Sequence, residues 1–420
     1  MIIKNDRKNK FKSMFDPKTG FYLRTGVLDE NGKDTGIDPF ESSFAELLDI
    51  GIMQTCTCHK LCNVDCYQKA CDRTGKNMSV ENFKKIIDQA KGKVFQIALG
   101  GAGNVDDHEN FEEILKICRE ANIVPNFTTS GILMNRERAE ICKKYCGAVA
   151  VSQHSDLKKA IVVKEKKDLV EGELDKFNPY VETFTKLNET LFSNNWYFSD
   201  TLKQENDWVA KEIYYEDEES YTYKAIKMLL DAGVSTSIHY VLSKKSIDEA
   251  IIRLKNNAFP KGIMAVVFLL YKPVGLGKEE NMLDVNDPRV KEFFELIDTG
   301  KFSFKIGFDS CSSPGIVNFS KNTNLDSVDY CEGARFSAYI DANMNMMPCS
   351  FANQDPSWHM NLNEYTMQEV WDSPLFDKFR YSLKNSCTSC PKRVSCGGGC
   401  PLVNQITLCN NKEREFKSEI

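Results

Sequence analysis

From residue 44 onward, short apolar runs alternate with stretches whose apolar residues recur at helical spacing. Strands are predicted at 47–53, 94–99, 123–129, 148–152, 235–242 and 263–271. Helices are predicted at 79–90, 110–121, 136–145, 221–232, 246–256 and 289–298. Ser79 and Glu81 mark the start of the first helix. Such alternation implies right-handed βαβ units and a parallel sheet. Six units suit a partial barrel or an open sheet, and both place ligands at the C-terminal ends of the strands. The cysteine-rich segment after residue 53, the turn Gly100-Gly101-Ala102-Gly103, Ser130 and Ser152 all fall at such ends.

Two stretches break the pattern. Residues 1–43 hold turn-rich pieces, Asn31-Gly32 among them, around the run 21–25, and predict an N-terminal hairpin laid over the next domain. Residues 155–219 are rich in Lys, Glu, Asp and Asn, with aromatics at Tyr180, Phe184, Phe192, Trp196, Tyr197, Phe198 and Trp208. They read as a helical surface insertion packing its aromatics on itself, or as a lid beside the strand ends. The domain reading is a 1–43 cap, a 44–300 barrel carrying the insertion, and a 301–420 C-terminal domain.

A chain of 420 residues can bury a large core in more than one domain. The net charge of -6 offers no footprint for nucleic acid or an anionic membrane. No apolar stretch approaches the ~20 residues of a membrane span, and residues 1–12 lack the apolar core of a signal peptide. The expected location is the cytoplasm, with neither nucleic acid nor membrane as partner.

That location bears on the sixteen cysteines. In a reducing compartment, clustered cysteines are metal ligands more often than structural disulfides. Cys56, Cys58, Cys62, Cys66 and Cys71 form one dense set; Cys387-x2-Cys390-x5-Cys396-x3-Cys400 followed by Cys409 forms another. Gly397, Gly398 and Gly399 let the backbone approach a bound group closely. One zinc could take four of the C-terminal thiolates, but Cys311, Cys331, Cys349 and Cys409 would then lack partners. Eight cysteines over 311–409 suit two four-ligand sites, and all-thiolate sites suit iron–sulfur clusters.

A strand ending in close cysteines, then a strand ending in Gly-Gly-x-Gly, resembles the radical S-adenosylmethionine (SAM) enzymes. The run Cys387, Cys390, Cys396, Cys400 and Cys409 is similar to the SPASM domain spacing, and the segment 340–349, ending at Cys349, to that domain's preceding hairpin. The resemblance covers roughly residues 44–154 and 220–420. It implies a partial (β/α)6 radical SAM barrel and three [4Fe–4S] clusters. Three cysteines would hold the first cluster, leaving an iron to chelate SAM; one electron then yields methionine and a 5′-deoxyadenosyl radical that abstracts hydrogen from substrate.

Here the usual Cys-x3-Cys-x2-Cys is replaced by Cys58-x3-Cys62-x3-Cys66, with Tyr67 after the last cysteine. Cys56 with Cys62 and Cys66 is the alternative set. Gly100, Gly101 and Gly103 resemble the turn that binds the SAM amino group, although Asn104 stands where an acidic residue is usual. Ser130, Ser152 and Tyr67 are further candidate cofactor contacts. The family pattern would place Cys349 and Cys400 with Cys311 and Cys331 on a first auxiliary cluster, and Cys387, Cys390, Cys396 and Cys409 on a second. Met344 replaces a usual glycine in the hairpin. Cys118, Cys142 and Cys146 read as core residues, with Cys142 and Cys146 spaced to meet on one helix face. His239 is a candidate polar contact to substrate, and His59 reads as structural or exposed.

The resemblance implies a peptide-modifying enzyme acting on a ribosomally made precursor by crosslinking, epimerisation or side-chain oxidation, with flavodoxin or ferredoxin as reducing partner. Rival readings are a maturase of a folded enzyme such as a sulfatase, a small-molecule radical SAM enzyme, and a non-catalytic iron–sulfur electron carrier.

Overall fold

The structure, a computed structural model, describes residues 1–58, 60–62, 64–153, 157–165, 196–205 and 208–410. Three antiparallel strands open the chain: β1 (Ile2–Asp6), β2 (Phe11–Phe15) and β3 (Tyr22–Arg24). The expected hairpin is thus widened by one strand. Its inner face is fixed by aromatics, with Phe15 5.4 Å from Phe95 between ring centroids. Arg24 lies 3.6 Å over the Phe336 ring and pairs with Asp329 at 2.7 Å. Phe95 directly precedes the second barrel strand, so the cap covers the N-terminal end of the barrel, away from the cysteine loop.

The main sheet contains β4 (Leu47–Met53), β5 (Gln96–Gly101), β6 (Val124–Thr129), β7 (Val149–Gln153), β11 (Thr236–Leu242), β12 (Ala265–Leu270) and β13 (Lys305–Phe308), hydrogen-bonded in parallel in that order. Helices α1 (Val80–Ala90), α2 (Phe111–Glu120), α3 (Arg136–Tyr145), α4 (Tyr221–Asp231), α5 (Ile247–Lys255) and α6 (Pro288–Thr299) supply the crossovers. Leu48, Ile50 and Ile52 are fully buried on one face of β4, whereas Asp49 points to the other face. The Ser79 side chain accepts from the Asn82 N–H and caps α1 as expected. β13 went unread in the sequence because only four residues form it and none is fully buried.

The insertion departs from its helical expectation. In its described residues, β8 (Leu157–Glu165), β9 (Trp196–Glu205) and β10 (Trp208–Glu216) form an antiparallel sheet in the order β8–β10–β9. Their β-branched and aromatic content favours strands, a signal the charged composition concealed. Tyr180, Phe184 and Phe192 lie outside the described residues. Glu216 closes this sheet onto the barrel: it pairs with Arg253 of α5, which also bonds Glu249 at 2.8 Å and the Ala258 carbonyl at 2.9 Å.

After α7 (Ser313–Phe319), the chain returns to the same sheet. β14 (Ser337–Ile340) pairs in parallel with β4 on the side away from β5, and β15 (Asn345–Met347) and β16 (Met360–Asn361) extend it antiparallel. Helices α8 (Met367–Trp371), α9 (Pro374–Asn385) and α10 (Arg393–Cys396) follow. Among the described residues no helix is long and apolar enough to cross a membrane.

Candidate active site and its cysteine clusters

β4 delivers its backbone directly into the first cysteine loop. The Cys62 N–H donates to the Cys58 carbonyl at 3.0 Å, tightening the loop into a turn. Burial pushes the Cys62 thiol up to about 11, with Cys66, Cys56 and Cys58 adding to the effect. Burial also raises Cys56, as do Cys58 and Cys66 nearby. All four thiols therefore share one neighbourhood, and both alternative sets are brought together. Cys58 is buried and Cys56 half-buried. Asp65 accepts from Asn281 at 3.0 Å and moors the loop to the segment after β12. Cys71 is exposed, and His59 lies outside the described residues.

The glycine turn after β5 packs against the same backbone. The Ala102 N–H donates to the Met53 carbonyl at 2.8 Å. A Cβ on Gly103 would lie 2.3 Å from the Thr55 carbonyl oxygen, and one on Gly101, at φ +120°, 2.4 Å from that of Met53. Neither position admits a side chain. The Asn104 side chain accepts the Ser130 N–H at 2.8 Å, tying this turn to the end of β6. Ser152 lies at the end of β7, in register with His239 on β11.

Three further cysteines come from distant parts of the sheet, and Cys400 from the segment after the last helix. Cys311 follows β13 at one edge, whereas Cys331 and Cys349 flank the hairpin β14–β15 at the other side of β4. The Cys311 side chain hydrogen-bonds that of Cys400, and this contact together with burial raises its thiol well above the ordinary range. Burial raises Cys331, with Cys311 and Cys349 contributing, and pushes Cys349 up to about 12, with Cys311 contributing. Residues seven and eight strands apart in sheet order can meet only if the sheet curls, and these thiols lie where it does.

Among the described residues, no three His, Cys, Asp or Glu side chains converge tightly enough to hold one metal ion. Fit to a metal group is tested by the donors themselves. Backbone N–H groups of Cys58, Val64, Gly333 and Phe351 donate to the sulfurs of Cys56, Cys62, Cys331 and Cys349, each two residues back. The Val403 N–H reaches the Cys400 sulfur at 3.4 Å. Such donors favour thiolate over thiol and stabilise cluster sulfur, so the residues fit. None of the sixteen cysteines is disulfide-bonded.

Residues 331–391 match the SPASM iron–sulfur cluster-binding domain. Over the whole chain, SuiB of Streptococcus suis with bound SAM superposes with a TM-score of 0.55 at 18% identity, covering 86% of this chain and 74% of that one. SuiB bound to its precursor peptide SuiA gives 0.56 at 18%, covering 86% and 73%. anSMEcpe with bound SAM gives 0.51 at 14%, covering 88% and 93%. The chain shares the fold of SuiB and anSMEcpe, and its residues 331–391 carry a SPASM iron–sulfur cluster-binding domain. No curated protein matches the sequence.

Cys387 and Cys390, inside the matched residues, line one small cavity with Cys396, Cys409 and Gly398 beyond them. Gly397, Gly398 and Gly399 all take positive φ, and a Cβ on Gly398 would sit 2.2 Å from the Ser386 hydroxyl. Met344 adopts φ 68° in the hairpin turn although it is not glycine. Its side chain is 1% exposed, and burying a methionine offsets the ~1–2 kcal/mol of a left-handed residue.

Several lumen residues escaped the sequence reading. Asp49 faces the lumen from β4, and burial lifts its carboxyl to about 7. Thr128 lies 3.1 Å from Nδ1 of His239. Lys272, buried at the end of β12, and Asp309, half-buried at the end of β13, form an ion pair at 2.7 Å. A polar residue at an alternate position of an apolar strand was the available signal for Asp49; Lys272 and Asp309 become partners only through strand adjacency. Cys142 and Cys146 hydrogen-bond each other, as their spacing allows.

Proposed function

We propose that this chain is a radical SAM/SPASM enzyme that modifies a peptide, a ribosomally made precursor in particular. The observation that carries the reading is the contact of the cysteine loop with the glycine turn at the strand ends, beside a second set of four gathered thiols. Cys58, Cys62 and Cys66, with Cys56 as the alternative to Cys58, would hold the first cluster. Gly100, Gly101, Gly103, Ser130, Ser152 and Tyr67 would contact SAM. When bound, cluster and SAM supply reductive cleavage of the sulfonium and hydrogen abstraction from substrate.

The chain's own residues have distinct tasks in this reading. The glycine turn presents backbone groups where no side chain could be accommodated. Thr128 orients His239, which faces the lumen as a neutral hydrogen-bonding group. Cys311, Cys331, Cys349 and Cys400, and separately Cys387, Cys390, Cys396 and Cys409, would hold two auxiliary clusters that carry an electron from the substrate or bind its thiol. A flavodoxin or ferredoxin would supply the reducing electron. The peptide class is supported by the fold's occurrence in SuiB bound to SuiA and in anSMEcpe bound to the Cp18Cys peptide. Crosslinking, epimerisation and side-chain oxidation are the reactions this arrangement serves.

Anaerobic reconstitution with iron, sulfide, SAM and dithionite tests the reading. The expected result is 5′-deoxyadenosine and about twelve irons per chain, four per cluster. Iron without 5′-deoxyadenosine would identify an electron carrier, and zinc without iron would overturn the account. Mass spectrometry of a co-expressed precursor peptide then separates loss of two hydrogens from a mass-neutral change seen only with deuterium.

A further inference from the structure

Lys272 is buried at the end of β12, beside the first auxiliary group of thiols. Its Nζ donates to Asp309 at 2.7 Å and to the Leu270 carbonyl at 2.8 Å, and lies 4.6 Å from the centre of the Phe351 ring. Each neighbour leads to a cysteine. Asp309 stands two residues before Cys311 and accepts the Ser312 hydroxyl at 2.6 Å. Phe351 stands two residues after Cys349, to whose sulfur its N–H donates.

The ammonium is therefore held within electrostatic reach of Cys311, Cys349 and Cys400. Lys272 and Asp309 thus place opposite charges between the segments that carry Cys311 and Cys349. A buried ion pair is seldom the most stabilising way to fill a position, since apolar residues of similar volume do as well or better. A charge pair beside the cysteine segments does something apolar residues cannot.

We propose that the Lys272–Asp309 pair sets the reduction potential of the cluster held by Cys311, Cys331, Cys349 and Cys400. The inference rests on the preceding reading, in which those cysteines hold a cluster. Every electron the cluster accepts adds negative charge to a site already made anionic by four thiolates. A nearby cation stabilises the reduced form and raises the potential; a nearby carboxylate does the reverse. Lys272 is thus a positioning charge that eases electron transfer from the substrate into the SPASM domain.

The test is an EPR redox titration of the full chain carrying Cys58→Ala, Cys62→Ala and Cys66→Ala, so that only auxiliary clusters give signals. Lys272→Met should move one signal to more negative potential, and Asp309→Asn should move the same signal to more positive potential. Lys272→Arg should restore the original value, and the other auxiliary signal, an internal control, should stay fixed. Unmoved potentials, or shifts of both variants in one direction as a merely disturbed fold would give, overturn the proposal while leaving the enzymatic reading intact. A wild-type chain that binds no iron overturns both.

Discussion

The ring of Tyr67 lies 5.2 Å from that of Phe351, so the residue after the last cysteine of the barrel loop packs on the residue two beyond Cys349. The Gln354 side chain strengthens the same junction by donating to the Tyr67 carbonyl at 2.9 Å. These contacts join the cysteine loop after β4 to the segment that follows Cys349. Phe351→Ala should cost about 1–3 kcal/mol, below the range for a fully buried Phe because the ring is only partly buried. A double-mutant cycle with Tyr67→Ala should give a coupling of about 0.5–1.5 kcal/mol. Anaerobic urea unfolding measures both, and additive single effects would show that the rings do not interact.

The three turn glycines should separate by consequence. A Cβ on Gly100 would have its nearest neighbour, Asp49 Oδ1, 4.0 Å away, whereas one on Gly103 would strike the Thr55 backbone. Gly100→Ala should therefore fold with unchanged or slightly raised stability, by up to about 1 kcal/mol, yet lose SAM binding because its methyl enters the lumen. Gly103→Ala should lose both. Melting temperature and equilibrium SAM binding distinguish them, and a Gly100→Ala protein that binds SAM normally would move the SAM site elsewhere.

For the ambiguous first ligand, Cys58→Ala should abolish 5′-deoxyadenosine formation, whereas Cys56→Ala should only weaken it. Product quantified by chromatography decides the matter. The opposite ranking assigns the ligand to Cys56.

Arg253 and Glu216 are both buried, and their pairing leaves neither charge unmatched. Arg253→Met strands the Glu216 carboxylate and should destabilise the fold by about 3–5 kcal/mol. Replacing both by apolar residues should recover much of that loss. Denaturant midpoints of the three variants provide the comparison, and equal losses in the single and double variants would contradict the account.

Burial lowers the pKa of His239 from 6.5 to about 4. Between those values the unfolded chain binds a proton that the folded chain refuses, so stability is full above the unfolded pKa and falls as pH drops toward 4. His239→Gln keeps a hydrogen-bonding group for Thr128 but cannot titrate, and should flatten this part of the profile. Unfolding curves at several pH values between 4 and 7 check it; identical slopes for both proteins would count against a buried neutral imidazole.

Much of the barrel was legible because its parallel strands announce themselves as apolar runs and its helices by their period. The cysteine loop and glycine turn were legible as strand ends. What stayed hidden has a physical cause in each case. β13 is too short for periodicity to rise above background, and the insertion strands lie in a stretch whose charge suggested a solvated helical surface. Asp49 is a single polar residue in an apolar strand with no spacing to set it apart, and Lys272 and Asp309 are 37 residues apart with no motif to join them.

By itself the sequence determined the βα order, the cysteine spacings and the glycines, because these depend on local periodicity and on residues with no conformational substitute. Tertiary structure alone decided which distant residues meet. Cys311 and Cys349 come together only because the sheet curls, carrying β13 toward β14 across the open side of the barrel, and Lys272 reaches Asp309 only because β12 and β13 are neighbours. Curvature and adjacency arise from packing the whole sheet against its helices, and no local stretch of sequence encodes them.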